Sequence, residues 1–245
     1  MSDIKKIFLS RVDSTNRFAR ELLASGDLGE NAWISTGDQY SGRGQGGNSW
    51  HSAPGMNITG SLIWFPRELD PARQFEISMS VSLALAELLD LFTVDATLKW
   101  PNDIYLEDRK VGGILIENDI MGERIMRFIV GIGLNINESE FPASLPNPVS
   151  LKAYTGVEYR LDEMTDLMLQ LVSSRLSQLD MNFGEGLKSE YISRLFRYRQ
   201  YAPYTAKGEW LNARITGVDE FGFLELEDEL GGKRSYGFRE VDYIL

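Results

Sequence analysis

A glycine-rich segment is the first place where this chain could bind a charged ligand. Residues 42–50 read GRGQGGNSW, and three of the glycines formally match the G-x-G-x-x-G dinucleotide fingerprint. That fingerprint needs a helix that opens on its third glycine, whereas Pro54, Gly55 and then a predicted strand follow here. A P-loop is excluded because no G-K-[ST] sequence follows the segment. We interpret the segment as an anion clamp of backbone amides and the Arg43 guanidinium; the alternative is a surface turn.

Two lysines flank one predicted hairpin. Residues 99–103 read KWPND and residues 108–113 read DRKVGG. Gly112 and Gly113 lie inside the second predicted strand, and glycine in a strand often marks the close approach of a ligand or another backbone. An isolated Lys110 would be a solvated residue beside a bulge, and that alternative weakens because Lys99 lies on the same hairpin. The polar residues that could act together here are Lys99, Asn102, Asp103 and Lys110.

Alternating glycines mark a third segment, residues 130–137, which read VGIGLNIN. They leave one face of the predicted strand bare. Close approach of a ligand and tight packing against a helix both explain this pattern.

The composition excludes several classes of site. The chain has 245 residues, no cysteine, one histidine and a net charge of −11. Disulfides, cysteine–zinc sites, iron–sulfur clusters and thiol nucleophiles are therefore excluded, as is a metal site with two histidines. His51 is expected to be a loop residue, because a serine triad would need a G-x-S-x-G elbow that is absent.

The charge pattern also limits the partners. The acidic balance argues against a broad nucleic-acid interface. The most apolar long stretch, residues 75–92, carries three carboxylates, which a bilayer span would rarely accept. Without a signal-peptide core at the N-terminus, we expect a cytoplasmic protein that binds neither nucleic acid nor membrane.

Helices and strands must position these segments. N-cap residue types at 13–16 and Gly26 predict the ends of a first helix. Leucine-rich periodicity predicts further helices over 71–92 and 162–179. Strands are expected over residues 32–35, 58–65, 96–100, 104–106, 110–117 and 127–137. The short β segments 211–216, 221–227 and 234–238 predict a small barrel appended to an α+β domain.

Five blocks of the chain resemble the biotin protein ligases, in the family's order and at family-like spacing. The pair KWPND and DRKxxG is highly specific, and the resemblance covers nearly the whole chain. The blocks are residues 13–16 (DSTN), Gln39 with 42–44 (GRG), 99–103 (KWPND), 108–115 (DRKVGGIL) and 131–135 (GIGLN).

The resemblance implies an α+β fold with a mixed-sheet catalytic domain, residues 1–198, and a C-terminal SH3-like barrel, residues 199–245. Family members that also repress transcription carry an N-terminal winged helix. Because the first block begins near residue 14, we expect the monofunctional form.

The chemistry implied by the resemblance is the activation of biotin by ATP. Biotinyl-5′-AMP forms with release of pyrophosphate, and the biotinyl group passes to a lysine of a biotin carboxyl carrier domain. Two anions must meet in the first step, so the site needs concentrated positive charge, which Arg43, Lys99 and Lys110 supply by the resemblance. Lys110 matches the lysine that contacts the biotin carboxylate and the developing phosphate charge. Mg²⁺ would screen the triphosphate, no side chain is assigned to it, and a homodimer is compatible with the sequence.

The remaining roles are carried over block by block. Asp103 is expected to orient or deprotonate the acceptor lysine. The ureido head of biotin is assigned to Ser14, Thr15, Asn16 and Gln39. The loop that closes over the intermediate is assigned to Arg43, Gly44 and Gln45. The other ligand-contacting residues are Trp50, Lys99, Asn102, Gly112 and Gly113, with Asn135 at the adenine.

One departure lies in the glycine loop. Many family members have a second arginine where this chain has Gln45, and Gly46 and Gly47 replace positions that are often basic. The loop therefore has one cationic anchor, which predicts looser retention of the adenylate. Gln45→Arg is expected to slow its release about tenfold.

Two other functions are alternatives to a biotin protein ligase. A lipoate–protein ligase shares the fold and the adenylation chemistry, but its usual loop of the type RRxSGGGAVxHD is absent here. A non-catalytic module that binds biotin or nucleotide is disfavoured because Arg43, Asp103 and Lys110 occur together.

Overall fold

The computed structural model describes residues 4–92, 95–181 and 186–245. The strands of its larger sheet are β1 (Lys5–Leu9), β2 (Ala32–Thr36), β5 (Ile58–Trp64), β6 (Ala96–Lys99), β7 (Asp103–Leu106), β8 (Arg109–Met121) and β9 (Arg124–Leu134). The helices are α1 (Thr15–Ser25), α2 (Gln74–Asp90), α3 (Leu151–Thr155), α4 (Leu161–Asp180) and α5 (Leu187–Ser193). A short hairpin, β3 (Gly42–Arg43) with β4 (Ser49–Trp50), stands apart.

The larger sheet is mixed and has seven strands in the order β1-β2-β5-β9-β8-β7-β6. Only β1 and β2 run parallel among its pairs, and the others are antiparallel. All seven residues of the central strand β5 are buried, because α1 covers one face of the sheet while α2 and α4 pack on the other. The expected mixed-sheet α+β fold is confirmed.

The first helix begins and ends where the sequence indicated. Ser14 is extended, α1 begins at Thr15, and Gly26 ends it with a left-handed φ of 78°. Thr15 and Asn16 in the first turn are buried beside the apolar Ala19 and Leu23. Burial of polar side chains at a helix start is costly unless they find partners, and those partners are found in the site described below.

The long apolar stretch forms the buried helix α2, as expected, preceded by a 3₁₀ turn over Pro71–Arg73. Asp70 caps this turn by accepting a hydrogen bond of 2.7 Å from the amide of Ala72. Within the described ranges, no helix has the length and apolar character that a membrane crossing requires.

The strands differ from the sequence-based expectation at their ends. The hairpin β8–β9 extends to Met121 and Arg124, beyond the expected 117 and 127. Most of its outer part is exposed, and the polar residues Asn118 and Asp119 interrupt the apolar pattern from which pairing could be inferred. The edge strand β1 was not predicted. None of its five residues is buried, and only Ile7 and Leu9 pack against the apolar cluster that includes α1, so the strand has a weak apolar pattern.

The C-terminal sheet has five antiparallel strands, two more than expected. They are β10 (Tyr201–Ala206), β11 (Glu209–Val218), β12 (Leu224–Asp228), β13 (Lys233–Tyr236) and β14 (Val241–Tyr243). Their order is β13-β12-β11-β10-β14. The two strands that the sequence analysis missed are β10, which contains Pro203, and the three-residue β14; proline and short length both hide a strand pattern.

The two sheets share one core. Buried Tyr204, Ile215 and Leu226 of the C-terminal sheet belong to the same apolar cluster as α2 and α4. The indole nitrogen of Trp100 donates a hydrogen bond of 2.9 Å to the carbonyl of Gly222. This contact fixes the KWPND segment against the C-terminal sheet.

Candidate active site

A cavity of about 310 Å³ opens between the larger sheet, the glycine loop and the C-terminal sheet. It brings together residues of the sequence blocks that lie up to 119 positions apart, from Ser14 to Gly133. The predicted site residues that line it are Ser14, Thr15, Asn16, Gln39, Arg43, Gly44, Gln45, Trp50, Lys99, Asn102, Asp103, Lys110 and Gly113.

A buried polar network forms one end of the cavity. The Oε1 atom of Gln39 accepts hydrogen bonds from the amide of Thr15 at 2.9 Å and from its hydroxyl at 3.2 Å. The hydroxyl of Ser61 contacts Thr15 Oγ1 at 2.8 Å and Asn16 Oδ1 at 2.6 Å. These contacts satisfy the buried first turn of α1 and set the direction of its donors and acceptors.

Asn16 is held from a second side. Its amide nitrogen lies 3.0 Å from Glu117 Oε2 and 3.3 Å from the carbonyl of Leu115, both on β8. Ser61 and Glu117 were missed by the sequence analysis. A serine in an otherwise apolar strand was the only local signal for Ser61, and Glu117 gave none.

The alternating glycines of β9 form the floor beneath these side chains. A Cβ at Gly131 would overlap the side-chain amide of Asn16, and one at Gly133 would overlap the indole of Trp50. Both glycines therefore admit cavity-lining side chains close to the strand. Of the two explanations that the sequence left open, packing against a helix applies at Gly131, which meets Asn16 of α1. Both glycines also line the cavity, so close approach of a ligand stays a prediction.

Lys110 and Asp103 face each other across strands β7 and β8. Lys110 Nζ lies 2.6 Å from Asp103 Oδ1, and the side chains are 32% and 16% exposed. The ammonium also lies 5.6 Å from the centroid of the Trp50 ring, within cation–π range. A carboxylate and an indole thus orient the cation while one side stays open to the cavity.

Lys99 is the most desolvated cation of the site. Its Nζ lies 4.6 Å from the ring centroid of Tyr243 and 5.4 Å from that of Tyr105. Burial lowers the pKa of Lys99; the charge of Asp103 opposes this, and the charge of Lys110 adds to it. The aromatic faces compensate part of the lost hydration.

Asn102 ties the KWPND segment to β8. Its side-chain amide donates a hydrogen bond of 2.8 Å to the carbonyl of Ile114, and its own carbonyl accepts one of 3.0 Å from the amide of Ile114. Asn102 lines the cavity, and both of these hydrogen bonds fix it to the backbone of β8.

The glycine loop is an ordered hairpin. Gly42 pairs with Trp50 and Arg43 with Ser49, and the chain turns between them through Gly46 and Gly47, whose φ angles are 68° and 90°. These left-handed angles strain any residue with a Cβ, which explains why glycine occupies positions that the family often gives to basic residues.

Two predicted site residues lie outside the cavity lining. A Cβ at Gly112 would meet the side chain of Leu134 and the carbonyl of Gly133, so the close approach at Gly112 is strand packing and not an opening to the cavity. Asn135 is buried and donates a hydrogen bond of 3.2 Å to the carbonyl of Val149. Its Oδ1 atom has no partner among the described residues, and its adenine role stays a prediction.

His51 lies in the loop that follows β4, as expected. Its Nε2 atom lies 2.8 Å from Glu138 Oε1, and Glu138 is 2% exposed. The same carboxylate accepts hydrogen bonds from the amide of Ala53 at 3.2 Å and from the side chain of Asn57. This cluster anchors the chain directly after Trp50. Among the described residues, no group of three or more histidine, cysteine, aspartate or glutamate side chains could hold a metal.

The C-terminal sheet contributes lining residues that the sequence analysis missed, as do Thr59 and Gly60 of β5. No local motif marks those of the C-terminal sheet, which follow Lys110 by more than 120 positions. They are Phe238, Arg239, Val241, Asp242 and Tyr243.

Comparison with known proteins agrees with this architecture. The model of the biotin/lipoate A/B protein ligase family matches residues 8–135. The biotin–[acetyl-CoA-carboxylase] ligase of Paracoccus denitrificans is 31% identical over 231 residues, which cover 91% of this chain and 90% of that protein. The bifunctional ligase/repressor BirA of Escherichia coli is 31% identical over 225 residues, 89% of this chain and 68% of that protein.

A solved structure shows the same fold. The biotin protein ligase from Aquifex aeolicus, in complex with biotin and ATP, superposes with a TM-score of 0.79 at 23% identity, over 98% of this chain and 99% of that one. The chain belongs to the biotin/lipoate A/B protein ligase family. Within that family, the resemblance to the biotin protein ligases is confirmed.

Proposed function

We propose that this protein is an ATP-dependent ligase that activates biotin as biotinyl-5′-AMP and transfers it to a lysine of a biotin carboxyl carrier domain. The observation that carries the proposal is the pairing of Lys110 with Asp103 at 2.6 Å in a cavity that also holds Arg43, Lys99 and Arg239. A protein of net charge −11 has concentrated four cations around one cavity. Such a site suits the meeting of two anions.

In the first step, a carboxylate oxygen of biotin attacks the α-phosphorus of ATP. An oxygen–phosphorus bond forms, the bond to the bridging oxygen breaks, and pyrophosphate leaves. We assign Lys110 to contact both the carboxylate and the phosphate; its ammonium, held at the cavity wall by Asp103 and Trp50, supports this role. Arg43 in the glycine loop adds a second charge. Fixed cations lower the barrier because they need no reorganisation as charge develops.

The opposite end of the cavity suits the ureido head of biotin. That head presents one carbonyl and two N–H groups, so it needs both donors and acceptors. The lining residues Ser14, Thr15, Asn16 and Gln39 supply hydroxyls and side-chain amides. Gln39 holds Thr15, and Ser61 behind the lining holds Thr15 and Asn16, so these groups have fixed orientations. Trp50, packed on Gly133, forms an apolar wall between the two ends.

In the second step, the carrier lysine attacks the carbonyl carbon of the mixed anhydride, an amide forms, and AMP leaves. The attacking amine must lose a proton. We assign Asp103 to orient the amine or accept that proton, because its carboxylate lines the cavity beside Lys110.

Mg²⁺ is proposed to enter with the triphosphate. Magnesium is commonly held by one or two carboxylates and by substrate phosphates. Asp103 is paired with Lys110, which leaves Asp242 as the other carboxylate of the lining. A single carboxylate fits a metal carried mainly by its phosphates, where it would screen their charge. We also propose that Asn135 contacts the adenine. The catalytic domain is proposed to end at residue 198 and the C-terminal domain to begin at residue 199, which the start of β10 at Tyr201 supports. A homodimer belongs to the same proposal.

ATP–pyrophosphate exchange tests the proposal, run with biotin, with lipoate and with neither, each with and without Mg²⁺. Exchange is expected with biotin and Mg²⁺ only. A carrier domain added with labelled biotin should then acquire one label on one lysine, located by mass spectrometry. Exchange driven by lipoate alone would reassign the substrate, and binding of biotin without exchange would indicate a non-catalytic module.

A further inference from the structure

The turn between β13 and β14 reaches the glycine loop. Arg239 lies in this turn and lines the cavity. A Cβ at Gly46 would lie 2.6 Å from Nη2 of Arg239, 2.9 Å from its Nε and 3.0 Å from Cε1 of Phe238. The absence of a side chain at Gly46 is therefore what admits this guanidinium to the loop.

Arg239 has no carboxylate partner among the described residues. The neighbouring Glu240 is occupied elsewhere, since it accepts a hydrogen bond of 2.8 Å from the amide of Gly237 and pairs with Lys207 at 3.2 Å. Arg43, across the loop, likewise has no ion pair within the described ranges, whereas Lys110 is paired with Asp103.

The two unpaired arginines of the cavity are available to bind an anionic ligand. With 36 acidic and 25 basic residues, carboxylates are in excess, yet Arg43 and Arg239 leave their guanidinium groups free for another anion. A guanidinium offers five N–H donors in a planar fork that matches phosphate and carboxylate oxygens. The cavity thus presents two arginines to a ligand, Arg43 from the loop itself and Arg239 from the turn of the C-terminal sheet.

We propose that Arg239 is the second cationic anchor of the adenylate phosphate, supplied by the C-terminal sheet where the loop itself has Gln45 instead of an arginine. The inference rests on the proposed function, because it assigns a contact to the phosphate of that intermediate. Gln45 immediately precedes Gly46, so a cation at either place reaches the same part of the loop. Retention of the adenylate is therefore shared between the loop and the C-terminal sheet.

This arrangement changes what Gln45→Arg should do. The sequence alone predicts a tenfold slower release, because it shows a loop with one cation. With Arg239 already beside Gly46, a new arginine at position 45 should slow release only about threefold in the wild-type background. In the Arg239→Ala background it should slow release about tenfold, since it then replaces the missing cation.

The test is a release assay on four proteins: the wild type, Arg239→Ala, Gln45→Arg and the double variant. The adenylate is formed from labelled biotin and MgATP, unlabelled biotin is added, and loss of label is timed. Arg239→Ala should release the adenylate about tenfold faster, and the double variant should return to within about threefold of wild type. Arg239→Lys should lie between wild type and Arg239→Ala, because it keeps the charge without the fork.

Arg234→Ala is the matched control. Arg234 is an exposed arginine on β13 of the same sheet, is absent from the cavity lining, and its loss should leave release unchanged. Release that is unchanged in Arg239→Ala overturns the proposal. So does fast release that Gln45→Arg fails to slow, since Arg239 would then act only through the shape of the turn. If the wild type forms no adenylate at all, the proposed function has failed, which is a distinct result.

Discussion

Lys110→Ala is the substitution that most directly separates catalysis from folding. The ammonium lies 2.6 Å from Asp103, is 32% exposed and lines the cavity, and the proposed function assigns it to the charge that develops during adenylation. Loss of one group that stabilises such charge costs about 3 kcal/mol of barrier, or roughly 100-fold in rate. The ion pair itself is partly solvated, so its loss should change the free energy of unfolding by less than about 1 kcal/mol.

The assay is biotin-dependent ATP–pyrophosphate exchange at saturating biotin and ATP, with urea unfolding of the same preparations. Arg109→Ala is the matched control, because Arg109 is the exposed preceding residue on β8 and does not line the cavity. The control should retain both exchange and stability. Asp103→Asn should lose transfer to the carrier more severely than exchange, because Lys110 keeps its charge while the proton acceptor is lost.

A Lys110→Ala protein that is folded and exchanges pyrophosphate at a near-normal rate would refute this reasoning. Lys110 would then be a solvated strand residue whose contact with Asp103 is incidental. If Lys110→Ala instead unfolds at much lower urea and loses exchange for that reason, the pair serves to hold strands β7 and β8 together.

Gly133→Ala should reduce the free energy of unfolding by about 1–3 kcal/mol in urea titration, because the added Cβ would overlap Trp50. Gly113→Ala is the control and should leave the free energy of unfolding unchanged, because the nearest atom to its Cβ would be 3.4 Å away. Glu138→Ala should cost roughly 1–3 kcal/mol in the same assay, since the carboxylate is 2% exposed and leaves buried donors unpaired; a smaller loss would show that water replaces it. For Lys99, burial lowers the pKa below the ordinary 10.5, so the unfolded chain holds the proton to higher pH. The unfolding free energy of wild type relative to Lys99→Met should therefore rise as pH increases toward 10.5, and a constant difference between neutral pH and 10.5 would contradict the shift.

The sequence was a good guide to elements with a strong local pattern. Gly26 marked the end of α1 and the periodicity of residues 71–92 marked a buried helix, as found. It was a poor guide to β1 and β14, because edge and very short strands gain their hydrogen bonds from partners that are distant in sequence. For the site, the sequence blocks predicted most of the residues that line the cavity. Gly112 is an exception, because it packs on Leu134.

The residue types alone determined which blocks of the chain carry cations, glycines and polar groups, because charge, backbone freedom and hydrogen-bonding capacity are local properties of each residue. Tertiary structure alone decided which of these groups meet. Ser61 reaches Thr15 and Asn16 because β5 lies beside α1, and Arg239 reaches Gly46 because the C-terminal sheet packs against the larger one. Neither contact has a signature in sequence, since each depends on the packing of elements that are separated by many residues.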